Sequence, residues 1–125
     1  MYSERGMVLV VDDDEDLREM VRTALERAGY SVSTAANGAD ALDVVASHTP
    51  AVILLDMRMP VQDGWASAHN FRARHDRSAP ILVMTAATDA RRRAAEIDAE
   101  GYLAEPFTIV ELLAAVRRLA GGVPA

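Results

Sequence analysis

The segment "MVLVVDDDEDL", residues 7–17, joins five consecutive apolar residues to five consecutive acidic ones. A run of five apolar residues has the length of a buried β-strand. Repulsion between neighbouring carboxylates opposes such an acidic cluster unless part of it interacts with positive charge. The segment therefore predicts a strand, a highly charged strand end, and the start of a helix.

The residues after this strand end have the spacing of an amphipathic helix. Its apolar face comprises Leu17, Val21, Ala24, Leu25 and Ala28, and its polar face comprises Arg18, Glu19, Arg22 and Glu26. Asp14 is suited to cap the helix, Glu15 and Asp16 lie near the positive end of its dipole, and Gly29 is suited to end it. An EF-hand loop starting at Asp12 is rejected, because its required glycine would fall at Leu17.

Four further strands are predicted along the chain. Aliphatic runs occur at 51–55 and 81–84, the segment 101–104 reads as a fifth strand, and 30–35 alternates like a strand at a sheet edge. Continuous aliphatic strands are typical of a parallel sheet that is covered by helices on both faces. The predicted fold is therefore α/β, with five β-α units.

Four more helices connect and follow these strands. Asn37 and Gly38 introduce one, another begins near Gly64, a short charged one spans 88–97, and the last begins with the capping box Thr108-x-x-Glu111.

Composition limits the class of protein. The 125 residues are half apolar, which suits a single domain over 1–125 with a frayed tail at about 121–125. The 13 basic residues, all arginine, are outnumbered by 19 acidic ones, and the net charge of -6 disfavours direct nucleic-acid binding. The chain has no cysteine, no signal-peptide core and no run long enough to span a membrane, so we expect a cytoplasmic protein.

Polar residues fall where the predicted strands end. Asp12 and Asp13 follow the first strand, Asp56 the third, Thr85 the fourth and Glu105 the fifth. The carboxyl ends of parallel strands meet at one edge of the sheet, where ligands bind in doubly wound folds. Four carboxylates and one hydroxyl are therefore expected to converge, and Mg²⁺ prefers such oxygen ligands.

Four motifs together give the chain a resemblance to a known family. They are Asp12-Asp13, "LLDMRMPVQDG" at 54–64, "VMTA" at 83–86 and "YLAEPF" at 102–107. In this order and placement they resemble the receiver domain of bacterial two-component response regulators, over essentially the whole chain. The resemblance implies a flavodoxin-like, doubly wound (βα)5 sheet with strand order 2-1-3-4-5.

The resemblance also implies a reaction. Asp56 would be the phosphoacceptor in a two-component phosphorelay, receiving a phosphoryl group from a sensor histidine kinase or a phosphotransfer protein. Asp12, Asp13, Asp56 and the backbone carbonyl of Arg58 would bind the Mg²⁺ on which transfer depends. Such a module catalyses its own phosphorylation and dephosphorylation and is not otherwise an enzyme.

The family's switch residues match positions here as well. Thr85 would turn its hydroxyl toward the phosphoryl group, and Tyr102 would rotate between outward and inward positions. Their movement would alter a protein-binding face formed by the helix at 88–97, the strand at 101–104 and the last helix, where an unknown downstream protein binds. The resemblance also favours a cis peptide bond before Pro106.

One residue departs from the family pattern. The family has a lysine before this proline, where it contacts the phosphoryl group, and here the position is Glu105. Three outcomes are compatible with this departure. In the first, Glu105 points to solvent and phosphorylation is slower. In the second, Arg58 supplies the missing charge, and in the third the pocket no longer signals through phosphate. A fourth possibility is that Glu105 joins the metal ligands.

A second departure is a shortened segment between Thr85 and Tyr102, which predicts a short, shifted or mobile helix.

Two other functions compete with phosphoryl signalling. A degenerate receiver would bind proteins independently of phosphorylation. A Mg²⁺-dependent aspartyl phosphohydrolase of the haloacid dehalogenase type is suggested by Asp12-x-Asp14 after a strand, but that family requires a later lysine, and this chain has none.

Overall fold

The computed structural model describes residues 6–56, 79–86, 89–96 and 99–120. The strands are β1 (Met7–Val11), β2 (Ser31–Ala35), β3 (Val52–Asp56), β4 (Ile81–Ala86) and β5 (Gly101–Glu105). The helices of the described residues are α1 (Glu15–Arg27), α2 (Gly38–Ser47), α3 (Ala90–Glu96) and α4 (Ile109–Leu119). The helix predicted near Gly64 and the tail at 121–125 lie outside these residues.

The five strands form one sheet in the order β2-β1-β3-β4-β5, and every neighbouring pair is parallel. The predicted α/β class, the strand order and the edge position of β2 are confirmed. The strand ends are shifted by one or two residues from the prediction. Asp56 and Glu105 are the last residues of their strands, and Thr85 lies inside β4 instead of after it.

The alternation of side chains along the strands divides the core in two. Val8, Val10 and Leu54 face α1 and α4, where they pack with Val21 and Leu112. The intervening residues face the other side of the sheet. There Leu9, Val11, Ile53 and Leu55 pack with Ala41 and Val45 of α2 and Ala94 of α3. The strands β1, β3 and β4 are buried on both faces, which explains their continuous aliphatic sequences.

The helix ends follow their local sequence. The Asn37 side chain accepts a hydrogen bond from the backbone N–H of Asp40, and Thr108 and Glu111 form the reciprocal bonds of a capping box. Helix α1 ends at Arg27, and Gly29 then adopts φ 99°, a left-handed conformation that side chains disfavour. In the described part of the chain, helix α3 comprises Ala90–Glu96, which lies within the predicted 88–97.

Candidate functional site

The register of two neighbouring strands brings three aspartates together. Val11 of β1 pairs with Leu55 of β3, so the chain positions immediately after this pair lie at the same edge of the sheet. One carboxylate oxygen from each of Asp12, Asp13 and Asp56 lies within 4.8 Å of the others. The structure therefore assembles an acidic cluster from residues more than 40 positions apart in the sequence.

Burial makes this cluster electrostatically costly. Asp12 and Asp56 have no exposed surface, whereas Asp13 is exposed. Neighbouring carboxylates repel one another, and burial away from water strengthens that repulsion. A hard divalent cation would offset the repulsion, and three carboxylates with one side open to solvent suit the oxygen coordination and retained water of Mg²⁺. The residues present therefore fit a magnesium site.

Backbone contacts fix the position of Asp12. Its N–H donates to the carbonyl oxygen of Ala35 on β2, at 3.0 Å. Its Oδ1 accepts a hydrogen bond from the N–H of Asp14, at 2.8 Å. The carboxylate is thus held by the turn between β1 and α1 before any ligand binds.

Arg18 makes a contact that the sequence analysis missed. Its Nη1 donates to the carbonyl oxygen of Asp12 at 2.8 Å, and the side chain is only partly exposed. The amphipathic pattern placed Arg18 on the polar face of α1 and did not predict which group its guanidinium would contact. The available signal was its place in the first turns of α1, since helical side chains lean toward the N-terminus.

The remaining acids of the opening segment belong to the helix. The Oδ1 of Asp14 accepts a hydrogen bond from the N–H of Leu17 at 3.2 Å, which makes Asp14 the N-cap. Glu15 and Asp16 occupy the first turn of α1, where they complement the helix dipole. The acidic run therefore divides between the strand end and the helix.

Thr85 and Glu105 lie on the next two strands. Asp56 pairs with Met84 of β4, and Thr85 is the following residue, with 4% of its surface exposed. Glu105 pairs with Ala86 and is half-buried, but it is not a member of the acidic group. Of the four strand-end carboxylates expected to converge, Asp12, Asp13 and Asp56 form a group within 4.8 Å among the described residues, and Glu105 lies outside that group.

Three other positions singled out by the resemblance remain to be located. Tyr102 on β5 is 42% exposed, and the peptide bond between Glu105 and Pro106 is cis. Arg58, considered both as a carbonyl ligand and as a compensating charge, lies outside the described residues.

A doubly wound five-stranded sheet with an aspartate cluster at its carboxyl edge is the arrangement that the resemblance to receiver domains implies. The model of the response regulator receiver domain matches residues 8–117, and the chain belongs to this family. Receiver domains are the phosphoacceptor signalling modules of two-component systems, and they interact with histidine kinases or phosphotransfer proteins.

Individual relatives agree with this assignment. The chain is 43% identical over 114 residues to the response regulator MprA of Mycobacterium sp. strain KMS. The aligned region covers 90% of this chain and 49% of that protein. MprA of Mycobacterium avium strain 104 is 44% identical, with 90% of this chain and 50% of that protein covered. The chain thus spans about half the length of these curated relatives.

Solved structures show the same fold. The chemotaxis protein CheY4 of Vibrio cholerae superposes with a TM-score of 0.81 at 33% identity, covering 91% of this chain and 98% of that one. The signal receiver domain of a histidine kinase from Syntrophus aciditrophicus superposes with a TM-score of 0.82 at 30% identity. The superposition covers 94% of this chain and 92% of that one. Within the ranges described here, every helix is too short or too polar to cross a membrane.

Proposed function

We propose that Asp56 accepts a phosphoryl group from the phosphohistidine of a sensor histidine kinase or phosphotransfer protein. The observation that carries this proposal is the convergence of Asp12, Asp13 and Asp56 within 4.8 Å at the carboxyl edge of the sheet. Asp56 ends the central strand of the five, with the buried Thr85 on the strand beside it.

In the proposed reaction a carboxylate oxygen of Asp56 attacks the phosphorus atom. A phosphorus–oxygen bond forms to Asp56 while the phosphorus–nitrogen bond to the donor imidazole breaks. The imidazole nitrogen keeps the electron pair and takes up a proton, and the product is an aspartyl phosphate. The same carboxylate would attack a small acyl phosphate, with the acyl carboxylate as the leaving group.

Asp12, Asp13, Asp56 and the backbone carbonyl of Arg58 would hold the Mg²⁺. Bound there, the ion would neutralise charge on the phosphoryl oxygens, which is the main requirement for phosphoryl transfer. The protein's own contribution is position, because Asp12 is fixed by hydrogen bonds to Ala35 and Asp14. Asp13 remains at the open side of the cluster.

Signal output would follow from residues around the phosphoryl group. The Thr85 hydroxyl would donate a hydrogen bond to a phosphoryl oxygen, and Tyr102 would move inward from its exposed position. These movements would alter the surface of α3, β5 and α4 that a downstream protein binds. We assign residues 1–125 to one cytoplasmic receiver domain, without direct nucleic-acid or membrane binding and without catalysis beyond its own phosphorylation and dephosphorylation.

A degenerate receiver is the competing function, and Glu105 is the observation that favours it. A carboxylate at the lysine position replaces an attraction for the phosphoryl group with a repulsion. One pair of unit charges at about 5 Å and an effective dielectric of about 20 is worth roughly 3 kcal/mol. The half-buried position of Glu105 reduces that figure through solvent screening.

Intact-mass measurement separates the two functions. The protein is incubated with Mg²⁺ and a small acyl phosphate, in parallel with Asp56→Asn and Glu105→Lys. The proposal expects one phosphoryl group on the wild-type chain, more on Glu105→Lys and none on Asp56→Asn.

Absence of a phosphoryl group on the wild-type chain favours the degenerate receiver. An adduct on Glu105→Lys with none on the wild type would show that residue 105 alone has abolished the reaction. An adduct that persists on Asp56→Asn would show that the acceptor is a different residue.

A further inference from the structure

The side chain of Arg18 reaches from α1 back to the peptide group that joins Asp12 to Asp13. Its Nη1 donates a hydrogen bond to the carbonyl oxygen of Asp12 at 2.8 Å. That oxygen belongs to a planar peptide unit whose two ends are the Cα atoms of Asp12 and Asp13. The bond therefore fixes the orientation of the plane from which two of the three clustered carboxylates project.

Three consecutive peptide units at this turn are each held by a different group. The N–H of Asp12, in the first unit, donates to the carbonyl oxygen of Ala35 at 3.0 Å. The N–H of Asp14, in the third unit, donates to Oδ1 of Asp12 at 2.8 Å. The middle unit, between Asp12 and Asp13, is the one that Arg18 holds. Loss of the Arg18 bond would therefore act on the middle unit while the contacts of its neighbours remain.

Helix α1 gives Arg18 a fixed base. The helix is capped by Asp14 and buries Val21 and Leu25 in the core, so the backbone of Arg18, one turn before Val21, is held in place. Arg18 itself is only partly exposed. A charged donor in such a setting makes a stronger hydrogen bond than it would in open water. The bond can therefore transmit the position of α1 to the acidic cluster.

We propose that Arg18 is a positioning residue for the magnesium site, and this inference rests on the proposed function. Through the peptide unit that it holds, Arg18 sets the direction in which Asp13 presents its carboxylate to Asp12 and Asp56. Asp13 is the exposed member of the cluster, so the surrounding protein restrains its direction less than that of the two buried aspartates. Mg²⁺ requires nearly ideal octahedral geometry, and groups that orient metal ligands change metal affinity by about 10- to 100-fold.

The charge of Arg18 acts on the ion in the opposite direction. A guanidinium beside the cluster repels a divalent cation, so charge alone would make Mg²⁺ binding weaker in the wild type than in a variant without Arg18. Solvent screens that repulsion because Arg18 is partly exposed, whereas the orientation of Asp13 is not subject to screening. Position should therefore outweigh charge, and the sign of the change in affinity separates the two effects.

The test measures Mg²⁺ binding by isothermal titration calorimetry, with no phosphodonor present. Arg18→Met keeps a long apolar side chain but removes the donor, and it should weaken Mg²⁺ binding about tenfold. Arg22→Met is the matched control, because it removes an equal charge from an exposed position on the same helix. It should leave the Mg²⁺ affinity unchanged.

A second control separates positioning from a general loss of stability. Val116→Ala removes a buried side chain from the core beside α4, and it should leave the Mg²⁺ affinity unchanged. NMR gives a local signature, since the carbonyl ¹³C signal of Asp12 and the amide ¹⁵N signal of Asp13 both report on the peptide unit that they share. Both signals should move in Arg18→Met and stay in place in Arg22→Met, because a hydrogen bond polarises the peptide group that accepts it.

Several results would overturn the proposal. One is Mg²⁺ binding by Arg18→Met that is as tight as in the wild type, or tighter. Another is a loss of affinity in Val116→Ala or Arg22→Met as large as that in Arg18→Met. Unchanged signals of Asp12 and Asp13 in Arg18→Met would have the same consequence. A wild type that binds no Mg²⁺ would overturn the proposal together with the metal assignment.

The phosphoryl adduct is measured separately, so the two inferences can fail independently. A chain that accepts a phosphoryl group while Arg18→Met binds Mg²⁺ normally would contradict only the positioning role. A chain in which Arg18→Met weakens Mg²⁺ binding, but which accepts no phosphoryl group, would contradict only the proposed phosphorylation.

Discussion

Arg18 donates a hydrogen bond from Nη1 to the backbone carbonyl oxygen of Asp12, at 2.8 Å. The bond ties the second turn of α1 to the end of β1, beside the acidic cluster. It joins a charged donor to a carbonyl in a partly buried setting, where such bonds contribute more than they do in water. The turn that carries Asp12 and Asp13 is thus held by a side chain as well as by the backbone.

Replacing Arg18 should therefore destabilise the fold. We expect Arg18→Ala to lower the free energy of unfolding by about 1–2 kcal/mol, measured by urea denaturation. Arg22→Ala is the matched control, because Arg22 is exposed on the same helix and makes an ion pair with Glu19 at 3.1 Å. Its loss should cost less than about 0.5 kcal/mol. Equal costs for the two variants would contradict the role assigned to the Asp12 contact.

Removing a carboxylate from the cluster should stabilise the protein when no divalent cation is present. In a chelator, Asp56→Asn should raise the melting temperature by about 3–5 °C, because it relieves repulsion among buried acids. Adding Mg²⁺ should then stabilise the wild type more than the variant. Asp43→Asn on α2, an exposed acid outside the cluster, should respond to Mg²⁺ as the wild type does. A wild type that melts at the same temperature with and without Mg²⁺ would contradict the metal assignment.

The effect of Glu105 on phosphorylation should be electrostatic. Glu105→Gln removes the repulsion, and Glu105→Lys adds an attraction. The initial rate with an acyl phosphate should therefore rise in two similar logarithmic steps, by about tenfold or more in total. High salt should compress these differences, since the site is partly open to solvent. Rates that do not change with salt would indicate that side-chain shape, and not charge, controls the reaction.

Two valines of α4 test the core described for that helix. Val116 has no exposed surface, whereas Val110 is 76% exposed. Val116→Ala should lower the free energy of unfolding by about 2–3 kcal/mol through lost burial and a residual cavity. Val110→Ala should change it by less than about 0.5 kcal/mol. Urea denaturation of both variants measures the difference, and a reversed order would mean that α4 is rotated about its axis.

The capping box of α4 should contribute measurably to stability. Thr108 Oγ1 accepts from the N–H of Glu111 at 3.1 Å, and the Glu111 carboxylate accepts from the N–H of Thr108 at 2.8 Å. Thr108→Ala should cost about 1 kcal/mol in the free energy of unfolding. The same substitution at the exposed Thr23, inside α1, should be neutral or slightly stabilising, because alanine is the better helix former. A cost as large at Thr23 would argue against a specific contribution from the cap.

Features set by local rules were predictable from the sequence. The caps at Asp14, Asn37 and Thr108 depend on a side chain and a backbone N–H three residues later, so they can be read directly from the chain. The strand order came from the family resemblance, whose motifs lie at the ends of the strands.

Features set by tertiary contacts were not predictable. Arg18 lies on the polar side of an amphipathic pattern, and hydropathy alone cannot distinguish a solvated guanidinium from one that folds back onto a carbonyl. Glu105 follows the same strand-end rule as Asp56, yet it lines a neighbouring groove instead of joining the acidic group. Which way a strand-end side chain turns depends on the helices and turns around it.

The pairing of Val11 with Leu55 gives the acidic site an unusual kind of robustness. Adjacent strands lie about 4.8 Å apart wherever their backbones are hydrogen-bonded. Asp12 and Asp56 follow the paired residues Val11 and Leu55, so the distance between their backbones is set by the main chain. Substitutions elsewhere in the sheet can alter stability without changing that spacing, provided the register is kept. Substitutions at Asp13, Thr85 or Glu105 can therefore change the chemistry of the site while the backbone positions of Asp12 and Asp56 stay the same.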